Sequence, residues 1–258
     1  MKHGRILHEG TIVNVTESEN GHVLFPDGRA FAENEVAWLP PIRPGTIFAI
    51  GLNYMDHAKE LAFKKPEEPM VFFKGPNTVT SHRTWTKRPD NVDFMHYECE
   101  LAVVIGRAAR NVPREEALSY VAGYTVANDY AFRNYLRNYY RPNLKVKSRD
   151  CALPFGPWLV DADDIPDPMN LGIRTFVNGN QTQDGNTRDM LFDVPYLVAY
   201  LSEILTLHPG DCILTGTPDG IVDVFPGDEV VTEVKSVGRL VNTIVGNGDD
   251  PVPPCEYR

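Results

Sequence analysis

The sequence predicts a mixed, β-rich fold with only a few short helices. Its 258 residues include 20 glycines and 21 prolines, more than the combined share of about 12% in average proteins, and this surplus is typical of chains with many turns. Short apolar runs of strand length lie between these turns. The spacing of Leu197, Leu201 and Leu205, with Pro195 in the first turn, predicts one clear helix that begins at Asp193.

The chain divides at a proline-rich segment. Residues 1–43 are predicted to form a small N-terminal β appendage, because short strand-like runs there alternate with turns. Residues 39–45, which include three prolines, are typical of a stiff linker. We expect one larger domain at residues 44–246 and a flexible, polar tail at residues 247–258.

Charge and cysteine content limit the functional class. The formal charge is −10, and an acidic chain lacks the basic surface that nucleic acid or an anionic membrane requires. No apolar run reaches the length of about 20 residues that spans a bilayer, and the first residues lack the apolar core of a signal peptide. The four cysteines form no CxxC pair, which favours a reducing, cytoplasmic location. The expected partner is therefore a small molecule.

Two largely apolar runs, residues 97–105 and 121–129, predict strands. Alternate residues of a strand share a face, so Glu98 and Glu100 are expected side by side while the other face is apolar. Two such carboxylates repel when partly desolvated, unless a proton or a cation intervenes. A hard divalent ion such as Mg²⁺, Mn²⁺ or Ca²⁺ suits oxygen ligands. The alternative is a strand end that reaches water and hydrates both acids.

Two further features are each open to two interpretations. Asp129 closes the second strand and is either a third metal ligand or the N-cap of a following helix. Lys145, Lys147 and Arg149 share one face if their segment is extended. They then form either a receiver for carboxylate groups or a solvated edge strand protected by its charges.

A histidine and a glutamate on a predicted helix form another candidate pair. His57 and Glu60 are three residues apart and can touch, as a carboxylate-oriented general base or as an ordinary surface pair. The turn at residues 215–218 offers hydroxyls and amides for an anion, although such a turn is weakly specific. The sequence contains no P-loop, GxGxxG, HExxH or GxSxG, which excludes the usual nucleotide, zincin and serine-hydrolase classes.

These residues resemble the fumarylacetoacetate hydrolase superfamily, in the family's order over about residues 46–245. The stretches that carry the resemblance are Gly51-Leu52-Asn53-Tyr54 through Glu60, His96-Tyr97-Glu98-Cys99-Glu100-Leu101, Asn128-Asp129, Lys147-Ser148, Asn178-Gly179 and Leu214-Thr215-Gly216-Thr217-Pro218. Residues 121–125 and 138–150 are most similar to the isomerase/decarboxylases of homoprotocatechuate (4-hydroxyphenylacetate) degradation. The resemblance implies a β-sandwich/β-roll fold and a homodimer or higher homo-oligomer.

The resemblance also implies a ligand set. Glu98, Glu100 and Asp129 would hold one Mg²⁺ or Mn²⁺ per active site, a position that Ca²⁺ could take in a crystal. Lys147 would face the substrate, a 2-oxo acid.

By the same motif positions, Arg133 and Thr217 would help to bind the substrate's carboxylate. His57 and Glu60 match the catalytic dyad on the family's mobile lid, which we expect at residues 54–69.

The function that the resemblance implies is metal-dependent decarboxylation and isomerisation of 2-oxo-enoic di- and tricarboxylates in aromatic catabolism. The expected substrate is 5-oxopent-3-ene-1,2,5-tricarboxylate, which yields 2-hydroxyhepta-2,4-diene-1,7-dioate and its 2-oxo isomer. One alternative is hydrolysis of an acylpyruvate- or fumarylpyruvate-type C–C bond with the same metal. A non-catalytic, Ca²⁺-stabilised β protein is a second alternative, from a different class.

Overall fold

A computed structural model describes residues 1–56, 66–136 and 144–248. Most regular structure in these ranges is β-strand, as predicted, and the strands are short because turns interrupt the chain so often. The strands are β1 (Lys2–His8), β2 (Thr11–Glu17), β3 (Val23–Leu24), β4 (Ala30–Phe31), β5 (Ala37–Leu39), β6 (Ile47–Gly51), β7 (Met70–Lys74), β8 (Val79–Thr80), β9 (Thr84–Lys87), β10 (Met95–His96), β11 (Cys99–Ile105), β12 (Val121–Asn128), β13 (Ala131–Phe132), β14 (Leu153–Pro154), β15 (Leu159–Asp161), β16 (Gly172–Val177), β17 (Asn180–Asn186), β18 (Cys212–Leu214), β19 (Glu229–Val234) and β20 (Gly238–Val245).

These strands form two main sheets and two small pairs. The larger sheet has eleven strands in the order β4-β3-β2-β1-β15-β12-β11-β18-β6-β7, with β5 beside β1. The smaller has five strands in the order β17-β16-β19-β20-β9, and its β16 and β19 contact β11 and β12. The remaining pairs are β10-β13 and β14-β8. Pairing is antiparallel except for β18-β6, β20-β9 and β14-β8.

The helices within the described ranges are few. They are the α-helices α1 (Leu144–Lys147) and α2 (Val194–Ile204) and the 3-10 turns Glu33–Glu35, Pro76–Thr78, Arg114–Tyr120, Arg133–Tyr135, Ala162–Asp164 and Thr187–Asp189. Helix α2 is the predicted one, because Asp193 caps it by accepting the Tyr196 N–H at 2.8 Å. No helix among the described residues is long and apolar enough to cross a bilayer.

The N-terminal strands extend the larger sheet. Strand β1 pairs with β15 through Lys2 and Val160, and the Trp38 and Trp158 rings meet edge to face at 4.8 Å. The β-rich fold class is confirmed, and Asn178 and Gly179 lie in the turn of the hairpin between β16 and β17. The division into a 1–43 appendage, a 44–246 domain and a tail stays a prediction.

Strands β11 and β12 cross the centre of the larger sheet. Every residue of β11 is buried, and it begins at Cys99, two residues later than predicted. On one face Leu101 and Val103 share a core with Leu197 of α2. On the other, Ala102 packs in a cluster with Phe155. Each polar group of a strand that is covered on both faces needs a hydrogen-bond or ionic partner within the protein. The acidic end of β11 forms the candidate site.

Candidate metal and substrate site

Three carboxylates meet where β11 begins and β12 ends. One ligand oxygen from each of Glu98, Glu100 and Asp129 lies within 4.8 Å of the others. Their exposed fractions are 7%, 1% and 0%, so the alternative of two hydrated glutamates is wrong. The Asp129 N–H donates to Glu98 O at 2.9 Å and carries the β11–β12 pairing one step further, which brings the third acid to the first two.

Asp129 does not cap a helix. It is followed by the short strand β13 and the 3-10 turn Arg133–Tyr135, so that alternative is wrong. Its Oδ2 is buried and has no hydrogen bond of good geometry, although the Lys147 Nζ lies 3.0 Å away. A buried carboxylate oxygen with unused lone pairs, aimed at two other acids, has the coordination capacity of a metal ligand.

Burial raises the pKa of Glu100 well above its usual value, and the charges of Asp129 and Glu98 raise it further. Lys147 and the Gly216 amide act in the opposite direction. A divalent cation between the three acids removes the repulsion that disfavours ionised Glu100. Since all the donors are oxygens, are buried and converge, the residues present fit one Mg²⁺ or Mn²⁺.

The turn after β18 supports one of these acids. Gly216 has a φ of +89°, and a side chain there would place its Cβ 2.9 Å from the Asn53 Cβ, so only glycine fits. Its N–H donates to Glu100 Oε2 at 2.5 Å. The turn was predicted to hold an anion, and at Gly216 that anion is the protein's own Glu100. The adjacent Thr217 is buried and accepts a hydrogen bond from Gln183 Nε2 at 3.1 Å, so its own hydrogen can be donated elsewhere.

Lys147 enters the site from the end of helix α1. Because the segment is helical at this point, Lys145, Lys147 and Arg149 do not share an extended face, and the edge-strand alternative is wrong. Lys147 is buried and donates to Glu98 Oε2 at 2.5 Å and to Asp129 O at 3.1 Å. Burial lowers the pKa of Lys147, but the charges of Asp129 and Glu98 outweigh it and raise the pKa overall.

A second lysine was missed by the sequence analysis. Lys74, the last residue of β7, has a fully buried side chain. Its Nζ donates to Asp129 Oδ1 at 2.5 Å and also to the backbone oxygen of Lys147. Burial lowers the pKa of Lys74, although Asp129 opposes the shift. The sequence does contain a feature that could have revealed Lys74, because this charged residue ends an apolar strand, as Asp129 does.

Arg133 lies on the other side of Glu98. Its Nη2 is 3.6 Å from Glu98 Oε1, and its Nε donates to His96 Nε2 at 2.6 Å. His96 is fully buried. It stands in one of the motifs that carry the family resemblance, yet the sequence alone indicated no role for it.

The structure therefore brings together the three acids, Lys147 and Arg133. His57 and Glu60, and most of the lid expected at residues 54–69, lie outside the described residues. Their roles stay predictions, as do those of Arg133 and Thr217 toward substrate.

The region that holds this site matches a known protein family. The family model described as fumarylacetoacetate (FAA) hydrolase C-terminal matches residues 46–245. The chain belongs to the fumarylacetoacetate hydrolase family. The matched range contains every residue of the candidate site.

Relatives of this family member are named as enzymes. A 4-hydroxyphenylacetate degradation bifunctional isomerase/decarboxylase of Salmonella dublin is 61% identical over 215 residues, which cover 83% of this chain and 50% of the relative. The chain thus spans about half the length of such curated relatives.

Solved structures share the fold. A 5-carboxymethyl-2-hydroxymuconate delta-isomerase from Mycobacterium smegmatis has a TM-score of 0.85 and 34% identity, with 96% of this chain and 100% of that one covered. A fumarylpyruvate hydrolase from Pseudomonas aeruginosa, solved with Mn²⁺ and pyruvate, has a TM-score of 0.74 and 28% identity over 86% of this chain and 94% of that one.

Proposed function

We propose that this member of the fumarylacetoacetate hydrolase family is a divalent-metal-dependent decarboxylase and isomerase of 2-oxo-enoic di- and tricarboxylates. The favoured substrate is 5-oxopent-3-ene-1,2,5-tricarboxylate. The observation that carries the proposal is the buried convergence of Glu98, Glu100 and Asp129 beside Lys147. The name of the Salmonella dublin relative supports the choice of reaction and substrate class.

The three acids are proposed to hold one Mg²⁺ or Mn²⁺, and the Mn²⁺ complex of the Pseudomonas aeruginosa relative supports such an ion. When bound, the ion supplies a Lewis acid that stabilises negative charge on the oxygen of a 2-oxo group. Lys147 lies against the same acids and is itself buried. Its ammonium adds a fixed positive charge where the substrate becomes more negative, and this lowers the barrier.

Decarboxylation in this proposal breaks the bond to the carboxylate on the carbon beyond the alkene. The carboxylate leaves as CO₂, the electron pair of its bond moves through the double bond to the 2-oxo oxygen, and that oxygen takes up a proton from water to become the hydroxyl of a dienol. Arg133 and Thr217 are proposed to hold carboxylates of the substrate so that the breaking bond lies out of the conjugated plane. The contacts of Arg133 with His96 and of Thr217 with Gln183 support this, since each prearranges its side chain.

Isomerisation then requires one proton to move from the enol oxygen to carbon. His57 and Glu60 are proposed to carry this proton as a general acid–base pair on a lid. We therefore expect His57→Ala to slow isomerisation of the dienol more than it slows release of CO₂.

The decisive experiment uses purified protein, Mg²⁺ and the tricarboxylate, with CO₂ release and the ultraviolet band of the dienol followed on the same sample. Production of both supports the proposal, and Glu98→Gln is expected to abolish both. The second candidate is hydrolysis of an acylpyruvate-type C–C bond, which the likeness to the fumarylpyruvate hydrolase favours. Release of pyruvate from an acylpyruvate, without CO₂ from the tricarboxylate, would establish that candidate instead.

We also propose a homodimer or larger homo-oligomer in the cytoplasm. Among the described strands, β7 hydrogen bonds only with β6, and its Met70 and Phe73 are exposed, which favours a further copy at this edge. The described cysteines Cys99, Cys151 and Cys212 are buried free thiols, as expected in a reducing compartment. Sedimentation of the purified protein tests the oligomeric state, and fractionation of host cells tests the location.

A further inference from the structure

The buried His96 and the partly exposed Arg133 form a pair beside the acids. Arg133 Nε lies 2.6 Å from His96 Nε2, and His96 Nδ1 lies 3.0 Å from Tyr97 O. A guanidinium nitrogen can only donate and a carbonyl oxygen can only accept. Both contacts together require a neutral His96 ring, with its hydrogen on Nδ1 and a lone pair on Nε2 that accepts from Arg133.

The same pair fixes the direction of the guanidinium. Its Nε is engaged by His96, and Nη2 lies 3.6 Å from Glu98 Oε1. The backbone at Arg133 is also held, because its N–H donates to Phe94 O at 3.0 Å, and the neighbouring Asn134 Oδ1 accepts the N–H groups of Asp93 and Phe94 at 2.8 and 3.1 Å. With both its base and its head restrained, Arg133 loses little conformational freedom when it binds an anion.

Arg133 also lies further out than the metal ligands. Its side chain is 18% exposed, whereas Glu100 is 1% and Asp129 is 0% exposed. A 2-oxo acid whose keto and carboxylate oxygens face the acids and Lys147 extends the rest of its chain outward. The outer guanidinium then meets the far end of the ligand.

From this arrangement we propose that His96 is a positioning residue that aims Arg133 at the distal carboxylate of a 2-oxo dicarboxylate, so that the pair selects diacids over monoacids. The inference rests on the proposed function, since it needs a 2-oxo acid at the three carboxylates. It goes beyond that function because it assigns Arg133 to the distal carboxylate in particular and names the residue that orients it.

A matched pair of ligands tests this selection without turnover. 2-Oxoheptanedioate and 2-oxoheptanoate differ only in the distal carboxylate, and their affinities for the Mg²⁺-loaded protein are measured by calorimetry. A charge-assisted hydrogen bond predicts that the wild-type protein binds the diacid about tenfold more tightly, or better.

Two substitutions separate positioning from packing. His96→Phe keeps a ring but removes the acceptor, so the diacid preference should fall below about threefold while the monoacid binds as before. His96→Gln can accept through its side-chain oxygen and should keep most of the preference. The matched control is His82→Phe, which removes another buried histidine, in contact with Glu33 and Trp38. It should leave the preference unchanged.

The outcomes distinguish this inference from the proposed function. If His96→Phe weakens both ligands equally, the histidine has only a packing role and the inference is overturned. If that variant does not fold, Arg133→Lys keeps a cation without the Nε partner and must lose the preference, so a retained preference also overturns the inference. A wild-type protein that binds Mg²⁺ and both ligands equally contradicts the inference alone. A wild-type protein that binds no divalent metal contradicts the proposed function itself.

Discussion

Two ion pairs, one on the outer strands of the eleven-stranded sheet and one beside its central strands, lie in opposite surroundings. Lys2 and Glu17 join the outer strands β1 and β2 at 2.9 Å, with side chains 27% and 29% exposed. Lys147 and Glu98 meet at 2.5 Å beside the central strands, with side chains 8% and 9% exposed. The first pair is solvated and contributes little to stability. The second has lost its water, so each charge depends on its neighbours.

The strands beneath these pairs differ in the same way. In β1 only Gly4 and Ile6 are buried, the alternation of a sheet with one face in solvent. In β11 every residue is buried, so Glu100 has no route to water and takes its hydrogen bond from the Gly216 amide. A polar residue within a fully buried strand is costly unless it is paired. Paired polar residues within fully buried strands, rather than acidic residues at the surface, therefore mark the functional site.

The largest effect is expected from Glu100→Gln. It removes one anionic ligand and leaves a buried amide facing two carboxylates, so metal affinity and turnover should fall together by about a thousandfold or more, about 4 kcal/mol. Titration with Mn²⁺ and assay of the same preparation check this. The matched control is Glu17→Gln, which breaks the partly exposed pair with Lys2 and should alter neither metal affinity nor turnover. Full activity of exhaustively chelated wild-type protein would contradict the metal site.

Lys74→Met should cause the largest loss of stability. It leaves the Asp129 carboxylate without one of its buried partners, at a cost of about 3 kcal/mol in the free energy of unfolding of the metal-free protein. Added Mg²⁺ should reduce the loss, because a bound cation pairs with the same carboxylate. Chemical denaturation with and without Mg²⁺ measures both values. Lys2→Met is the control, with an expected loss below about 1 kcal/mol. Equal losses of stability in Lys74→Met and Lys2→Met would show that the buried Lys74–Asp129 pair contributes no more to stability than the partly exposed Lys2–Glu17 pair.

Lys74 also illustrates what the sequence leaves undetermined. The apolar runs and the spacing of leucines predict β11, β12 and α2, and motif order predicts the three acids, because these signals are local. The position of Lys74 against Asp129 depends on how β7 packs near a residue fifty-five positions away, and no local spacing records that contact. The segment of Lys147 has alternating charges that suggest a strand, whereas its burial against Glu98 and Asp129 accompanies a single helical turn.

Lys147→Met should lower turnover about tenfold or more, about 1.4 kcal/mol or above. The substitution keeps much of the length of the side chain but removes the charge that faces the substrate in the proposed function. Metal affinity should change less than turnover, because all three carboxylate ligands remain. Steady-state kinetics combined with Mn²⁺ titration separate the two effects. Unchanged kinetics would mean that this buried pair has a structural role only.

The smallest effect concerns a buried histidine that holds the N-terminal strands. Burial lowers the pKa of His82 below its usual 6.5, although Glu33 opposes the shift, and Arg83 and Arg239 add to the lowering. Val241 N–H donates to its Nδ1 at 3.0 Å, so the ring is held neutral with its hydrogen on Nε2, against Glu33. The unfolded chain takes up a proton at this residue below about pH 6.5, whereas the folded chain resists it.

Stability should therefore fall as the pH drops below that value, by at most about 1.4 kcal/mol per pH unit for this one group. His82→Phe removes the proton uptake and should flatten this part of the profile between about pH 6.5 and about pH 5.5. Urea denaturation of both proteins across that range measures the difference. His3→Phe is the control, since His3 is a half-exposed partner of Asp161. An identical slope in the wild-type protein and in His82→Phe would show that the proton enters the folded state as easily as the unfolded one. The contact between Glu33 and His82 would then behave like the solvated pair of Lys2 and Glu17 rather than like the desolvated pair in the metal site.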